Sequence, residues 1–287
     1  MRTKNPISIS VAPLNGLTGK PYYDLDNTLT IMQRLYDTNA VDGFEFQHLE
    51  EWDERLPPRT EPQRKAAWEA SARYTIDEIA AVLCECGVPI LSVHANRDVG
   101  AYLCSTEPAD VAYGKQLTQE ALMLTHKVGA EVCVFHLWDT WKEQFDPQVL
   151  HHTLEEVSTE FPGVKAAVEN VPTHLEGYTP VDLAPSFPWI TLDLRWAALY
   201  NELAEFAYLK DRLANVHLSG QLGVNTWNVA PHWFPGQIAT FRFYEALNII
   251  RTHWGYTGLL TVEMHGQKGN TWDALIAALK TLKENIL

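Results

Sequence analysis

A strand-and-helix unit recurs along the whole of this 287-residue chain. In each unit an amphipathic, helix-like stretch is followed by Gly or Pro and then by a short apolar stretch typical of a buried strand. Strands are predicted at residues 7–13, 41–50, 88–96, 130–139, 164–170, 189–196, 213–220 and 258–266. Helices are predicted at residues 64–87, 108–128, 147–160, 198–212, 241–254 and 271–285.

Strands that are separated by helices pair in parallel through right-handed crossovers. Eight of them in a chain of this length fit a (β/α)8 TIM barrel, with a single domain spanning residues 1–287. The competing fold is a doubly wound open sheet, which usually has a Gly-rich turn after its first strand. APLNGLTGK, at residues 12–20, is a poor match to that turn, so the barrel is the favoured fold.

His, Glu and Asp side chains recur near the ends of these predicted strands. Because the carboxyl ends of all strands in such a barrel converge on one pocket, residues far apart in the sequence become neighbours. The side chains concerned are Glu45, His94, His136, Glu169, Asp193, His217 and Glu263. One carboxylate at a strand end usually caps a helix, and one strand His is usually a core residue. Six consecutive strands with such endings indicate a shared site.

Three carboxylates can lie ionised in one pocket only if something cancels their charge. Glu169, Asp193 and Glu263 offer three oxygen donors, and His217 adds a nitrogen donor. A divalent cation with open coordination positions suits this set, with Mn²⁺ favoured and Mg²⁺, Co²⁺ or Zn²⁺ as alternatives. We therefore predict one such ion.

The formal net charge of −14 argues against non-specific binding to nucleic acid or to an anionic membrane. The N-terminus has no long apolar run typical of a signal peptide, and no stretch approaches the length of a membrane span. The four cysteines include only one close pair, Cys84 and Cys86, which disfavours structural zinc. We expect a cytoplasmic protein with reduced thiols and with neither nucleic acid nor membrane as a partner.

Four of the strands carry a wider resemblance. Their sequences are AVENVP (167–172), ITLDLRW (190–196), ANVHLSG (214–220) and GYTGLLTVEM (255–264). In this order they resemble the xylose isomerase-like TIM-barrel superfamily over essentially the whole chain. HWFPGQ (232–237) is similar to that superfamily's Pro-Gly-Glu-Gly turn, with Gln237 in place of the usual acid. The superfamily holds sugar isomerases and epimerases, hydroxypyruvate isomerase, inosose dehydratase and the endonuclease IV branch.

The resemblance implies that Glu169, Asp193, His217 and Glu263 bind one divalent metal ion. It also implies that Glu169 and Glu263 act as an acid/base pair on opposite faces of a sugar, moving a proton next to a carbonyl through an enediolate. The first functional hypothesis is therefore a sugar isomerase or epimerase, and many such relatives are homodimers or homotetramers. An inosose-type dehydratase would use the same metal and base to expel a hydroxyl.

An endonuclease IV-like zinc phosphodiesterase is the alternative from a different class. His94, His136 and the four predicted ligands match six positions of its trinuclear site. However, Trp196 stands where that branch has a His. The nearest candidate for the His of its Asp-x-His pair is His232, and Ala230 stands at the position of the Asp. These departures and the net charge disfavour the nuclease. A third hypothesis is a relative that binds metal or sugar without efficient turnover.

Further side chains are predicted to contact a small sugar-like substrate. Arg195 follows Asp193 by two, so a strand that continued would direct it into the pocket to bind a carboxylate or phosphate. The alternative for Arg195 is a surface salt bridge. Trp138 lies beyond a strand end, where a Trp either stacks on a sugar face or packs a loop onto the barrel. The other predicted contacts are His94, His136, Glu45 and His232. For His94 and His136, a second metal or a structural role stays open.

Overall fold

Eight parallel strands close into a barrel. The computed structural model describes residues 5–20, 24–48, 74–138, 146–173, 175–220, 226–229, 239–264 and 271–286. The barrel strands are β1 (Ile7–Ser10), β2 (Gly43–Gln47), β3 (Ile90–His94), β4 (Val132–Phe135), β5 (Lys165–Glu169), β6 (Trp189–Asp193), β7 (Leu213–Gly220) and β10 (Leu259–Met264). Their closed order is β1-β10-β7-β6-β5-β4-β3-β2. The predicted (β/α)8 barrel and its eight strands are thereby confirmed.

A short antiparallel pair lies in the connection between β7 and β10. It consists of β8 (Thr226–Val229) and β9 (Ala239–Arg242), and it is separate from the barrel sheet.

Helices lie between the barrel strands and cover the outside of the sheet. They are α1 (Leu25–Tyr36), α2 (Ile76–Glu85), α3 (Val99–Leu103), α4 (Pro108–Lys127), α5 (Pro147–Ser158), α6 (Pro180–Leu183), α7 (Leu194–Tyr200), α8 (Phe243–Asn248) and α9 (Trp272–Ile286). Local sequence sets several of their ends. Thr75 and Glu78 form a capping box at the start of α2, and Asp146 caps α5 before a proline.

Two helix predictions need correction. Instead of one helix at residues 198–212, α7 starts directly after β6, because the Asp193 carboxylate caps its first amides. Asn201 ends α7 with a left-handed φ of 58°, and a 3-10 helix follows at Glu205–Arg212. Residues 241–254 begin in β9, continue through α8 and end in a π-helix at Ile249–His253.

The other helix predictions agree with the elements that the structure describes, but three of the described helices are not predicted. Of the predicted helix at 64–87, residues 64–73 lie outside the described residues, and the described remainder contains α2. The sequence pattern does not predict α1, which Asp24 caps, or the short helices α3 and α6. No helix in the described ranges is both long and apolar enough to cross a membrane.

The main hydrophobic core lies between the strands and the helices around them. It joins strand residues such as Phe135 and Val168 to helix residues such as Leu117 and Leu154. A smaller, separate apolar cluster consists of Val132, Val134, Ala167 and Ala214. The core holds the strands in a fixed register, and the register decides which side chains meet at the carboxyl end of the barrel.

Candidate active site

Four side chains from adjacent strands converge at the carboxyl ends of β5, β6, β7 and β10. Their ligand atoms all lie within 4.8 Å of one another, and the residues are Glu169, Asp193, His217 and Glu263. Asp193 pairs with His217 across β6 and β7, and Glu263 pairs with Ser219, two residues after His217, across β7 and β10. The structure thus brings together all four residues that the sequence predicts as metal ligands.

The site has a closed interior and one open side. Glu169 and Asp193 are each 1% exposed and His217 is 0% exposed, whereas Glu263 is partly exposed. A molecule that entered from solvent would therefore meet Glu263 before the other three. Burial also strengthens every charge interaction within the group.

The charges in this site perturb one another strongly. Burial, with the charges of Glu169 and Glu263, raises the pKa of Asp193 to about 7. Burial would raise the pKa of Glu169 too, but His217 and His136 outweigh it and hold that pKa well below its usual value. Burial acts to lower the pKa of His217, and the surrounding carboxylates raise it well above its usual value. The shifts therefore have different causes: burial is the largest cause for Asp193, the two histidines lower the pKa of Glu169, and the carboxylates raise that of His217.

The donor set fits a divalent metal ion. His217 Nδ1 is buried and has no hydrogen-bond partner within the described residues, although it lies 3.3 Å from Glu169 Oε2 and 3.9 Å from Glu263 Oε1. A metal ion would satisfy a buried nitrogen that faces two carboxylates. Three carboxylates and one imidazole suit Mn²⁺ or Mg²⁺ and also accommodate Co²⁺ or Zn²⁺.

A second group of ligand-type side chains adjoins the first. It consists of His94, His136 and Glu169, whose ligand atoms also lie within 4.8 Å of one another. Glu169 Oε2 lies 3.0 Å from His136 Nε2 and 3.5 Å from His94 Nε2, so Glu169 belongs to both groups. Burial acts to lower the pKa of His94, but its hydrogen bond to Glu169 and the nearby carboxylates raise it to about 9.

The sequence-based prediction of the site missed two supporting residues. The Asn170 side chain bonds both the amide and the carbonyl of Asp193. The Ser219 hydroxyl donates to the Asp193 carboxylate and lies 3.1 Å from Glu263 Oε2. The available signals were an amide directly after Glu169 and a hydroxyl two residues after His217, on the same face of its strand.

Comparison with known proteins supports the fold of this chain through solved structures and not through sequence matches. No family model matches the sequence, and no curated protein matches it either. Among solved structures, the 3-keto-D-glucoside 4-epimerase YcjR from E. coli has a TM-score of 0.65 and 14% identity, covering 98% of this chain and 100% of that one. An L-ribulose 3-epimerase has a TM-score of 0.65 and 14% identity, covering 98% and 94%. The D-allulose 3-epimerase from Methylomonas sp., in complex with D-allulose, has a TM-score of 0.61 and 15% identity, covering 99% and 98%.

This chain has the fold of these sugar epimerases. The fold that the sequence resemblance implies is therefore confirmed over nearly the full length of each chain.

Two of the predicted substrate contacts, Glu45 and Trp138, are buried side chains that bond to the protein. Glu45 is 0% exposed, and its Oε2 lies 3.2 Å from His217 Nε2, on the opposite side of that ring from the ligand cluster. Trp138 is also 0% exposed, and its Nε1 donates to the Val171 carbonyl at 2.6 Å. Trp138 therefore packs its loop onto the barrel.

Two other predicted contacts have different outcomes. The strand-alternation argument for Arg195 is wrong, because β6 ends at Asp193 and Arg195 belongs to α7. Its guanidinium is partly buried 4.3 Å from the Trp196 ring centroid, and it interacts electrostatically with Asp193 and Glu263. Arg195 is therefore still near the site, although a helix positions it. His232 lies outside the described residues.

Proposed function

We propose that the protein is a divalent-metal-dependent sugar isomerase or epimerase that moves a proton on a carbon next to a carbonyl. The observation that carries this proposal is the convergence of Glu169, Asp193, His217 and Glu263 at one end of the barrel. The fold supports the substrate class, because the three solved structures compared above are sugar epimerases.

In this proposal the same four residues hold one metal ion, with Mn²⁺ as the first candidate. When bound, the ion would polarise carbonyl and hydroxyl oxygens of the sugar and stabilise the charge of an enediolate. The protein holds the donors in place beforehand. Asp193 Oδ1 accepts hydrogen bonds from the Arg195 amide at 2.6 Å and the Trp196 amide at 3.2 Å, so its carboxylate has a fixed orientation.

Glu169 and Glu263 are the proposed acid/base pair. Their strands, β5 and β10, are separated in the barrel by β6 and β7, so a substrate carbon between them would meet one carboxylate on each face. Glu169 Oε2 lies 3.0 Å from His136 Nε2, which can share a proton that Glu169 removes. Glu263 lies at the partly exposed side of the site, with its Oε2 3.1 Å from Ser219 Oγ.

We further propose that His94 and His136 bind oxygen atoms of the substrate. The side chain of His136 is 26% exposed, whereas that of His94 is only 5% exposed, so His136 meets the substrate first. The Arg195 guanidinium would bind a carboxylate or phosphate of the substrate, if the substrate carries one. His232 remains a predicted substrate contact.

A screen of ketoses and inososes in heavy water with added Mn²⁺ tests the function. We expect one substrate to exchange the proton next to its carbonyl and to give an isomer or epimer, and E169Q and E263Q to abolish this exchange. A dehydrated product would instead identify the inosose-type dehydratase. Metal binding with no exchange from any substrate would leave a binding protein and contradict the isomerase.

One observation favours a second candidate, the endonuclease IV-like phosphodiesterase. The group of His94, His136 and Glu169 could hold a second ion next to the first. Metal analysis after dialysis separates the candidates: one ion per chain favours the isomerase, whereas two or three zinc ions with cleavage of abasic DNA favour the nuclease. The net charge of −14 weighs against a nucleic-acid substrate.

Three finer assignments are also proposals. We propose that the protein forms a homodimer or homotetramer and lies in the cytoplasm. We also propose that each chain folds as one domain spanning residues 1–287. Light scattering tests the oligomeric state, cell fractionation tests the location, and a single calorimetric unfolding transition tests the domain assignment.

A further inference from the structure

Hydrogen-bonded polar side chains fill part of the barrel interior beneath the site. All are 0% exposed, and they are Ser8, Glu45, Ser92, Asn215 and Thr261. Asn215 Nδ2 lies 3.3 Å from Glu45 Oε2, and this bond joins β7 to β2, which are not neighbours in the barrel. The bond must therefore cross the interior. TIM barrels usually fill this space with Val, Ile and Leu, so the polar chain needs a reason.

The hydrogen bonds among these polar side chains all run in one direction, from donor to acceptor. Thr261 Oγ1 donates to Asn215 Oδ1 at 3.0 Å, so its only proton is used and Ser8 must donate to Thr261 across their 2.7 Å contact. Asn215 in turn donates to Glu45 Oε2, and so does the Ser92 hydroxyl at 2.9 Å. The bonds therefore all lead towards the Glu45 carboxylate, which accepts directly from Asn215 and Ser92.

His217 completes the set around Glu45. Its Nε2 lies 3.2 Å from the same Oε2 atom. An ionised carboxylate can only accept, so His217 Nε2 must carry the proton in this contact. When the ring is neutral, the lone pair is then on Nδ1, the nitrogen that faces Glu169 and Glu263.

We propose that Glu45 is a positioning residue that orients the His217 ring and keeps its proton on Nε2, so that Nδ1 is free to bind the metal ion. The role of Ser8, Thr261, Asn215 and Ser92 is to hold Glu45 in place from below. This inference rests on the proposed function, because it assumes that the site binds a metal ion. Carboxylates that accept from a metal-binding His raise the basicity of that ligand and fix its tautomer.

The test compares E45Q with wild type and with E202Q. Gln preserves the size of Glu45 but removes its charge and replaces one acceptor oxygen by a donor amide. Glu202 is also a buried carboxylate, at 4% exposure, but it lies after α7 and outside both ligand groups, so E202Q is a matched control. We expect E45Q to weaken the Kd for Mn²⁺ about 10- to 100-fold, while E202Q leaves it unchanged.

A second measurement needs no variant. In wild-type protein loaded with Zn²⁺, the ¹⁵N spectrum of the imidazole groups should have the His217 proton on Nε2 and the metal on Nδ1. A proton on Nδ1 with the metal on Nε2 would overturn the inference even if E45Q failed to fold.

The outcomes separate this inference from the proposed function. If wild type binds no divalent metal, both fall. If wild type binds metal and folded E45Q binds it within twofold as tightly, Glu45 has a structural role only, and the proposed function stands without it. Weaker binding by E45Q with a normal E202Q supports the inference.

Discussion

The side-chain amide of Asn170 forms two hydrogen bonds to the main chain of Asp193. Its Oδ1 accepts from the Asp193 amide at 2.6 Å, and its Nδ2 donates to the Asp193 carbonyl at 3.1 Å. Asn170 is 0% exposed and directly follows Glu169. The pair Glu169–Asn170 therefore links two strand ends, because one residue presents a carboxylate to the site and the next holds the neighbouring strand's carboxylate in register.

Removing this link should weaken metal binding. In N170A the amide and carbonyl of Asp193 lose their buried partners, which should cost about 1–3 kcal/mol of unfolding free energy. Because Asp193 is then less firmly placed, we expect Kd for Mn²⁺ to rise about tenfold. Calorimetric titration of the folded variant measures this change.

A matched control exists at the other end of the barrel. Asn5 is 1% exposed and precedes β1, and its Nδ2 donates to the carbonyls of Tyr256 and Gly258. N5A should therefore lose a comparable amount of stability while keeping wild-type metal affinity. Equal metal affinities in N170A and N5A would contradict a specific role for Asn170.

Metal binding should stabilise the folded protein. Mn²⁺ at one hundred times its Kd should add about 2.7 kcal/mol, raise Tm and be reversed by a chelator. E263Q should lose most of this shift, since it removes one of three carboxylates. E131Q is the surface control, because Glu131 is 78% exposed beside Lys165. If no divalent ion changed the Tm of the wild-type protein, the proposed metal site would be refuted.

The fold could be predicted because strand and helix alternate in the sequence, but individual helices depend on more than apolar spacing. The face of α1 that packs on the barrel includes Asn27 and Thr28 beside Ile31 and Met32. These two polar residues interrupt the apolar pattern, so the pattern does not predict α1. Tertiary contacts that satisfy the polar groups are visible only in the structure, as when Asn27 Nδ2 bonds Thr18.

The ligand cluster could also be predicted, because strand ends meet in any such barrel. The depth at which a side chain lies in the barrel could not be predicted. Glu45 pairs with Ser92, whereas His94 pairs with Gln47, so Glu45 lies two residues deeper in the barrel than His94. This depth depends on the stagger between β2 and β3, which the sequence does not reveal. Glu45, which the sequence predicts as a substrate contact, therefore lies behind His217.

Stability should depend on pH through Glu202. Burial, with the nearby charges of Glu205 and Asp182, raises its pKa above the usual 4.5. Between 4.5 and the higher folded value, the folded protein binds more protons than the unfolded chain, so this group's contribution to stability falls as pH rises. E202Q removes that loss. Its unfolding free energy relative to wild type should therefore be greater at pH 8 than at pH 4, as urea titrations at both pH values can measure. No difference between the two pH values would contradict the shift.

A substitution at Gly100, which lies outside the site, should alter the site through the contact between Gly100 and Leu137. Gly100 lies in α3, and a Cβ there would be 2.1 Å from the Leu137 carbonyl oxygen, which is backbone and cannot rotate away. G100A must therefore displace the chain next to His136, with a loss of about 1–3 kcal/mol in unfolding free energy.

G87A is a control of similar cost: its φ of +71° strains any side chain by about 1–2 kcal/mol, but nothing lies within 4 Å of the added Cβ. If His136 helps to bind substrate, G100A should raise KM and G87A should not. Equal KM values in the two variants would mean either that His136 does not contact the substrate or that the displaced loop leaves His136 in place. The imidazole ¹H–¹⁵N spectrum of G100A distinguishes these two outcomes.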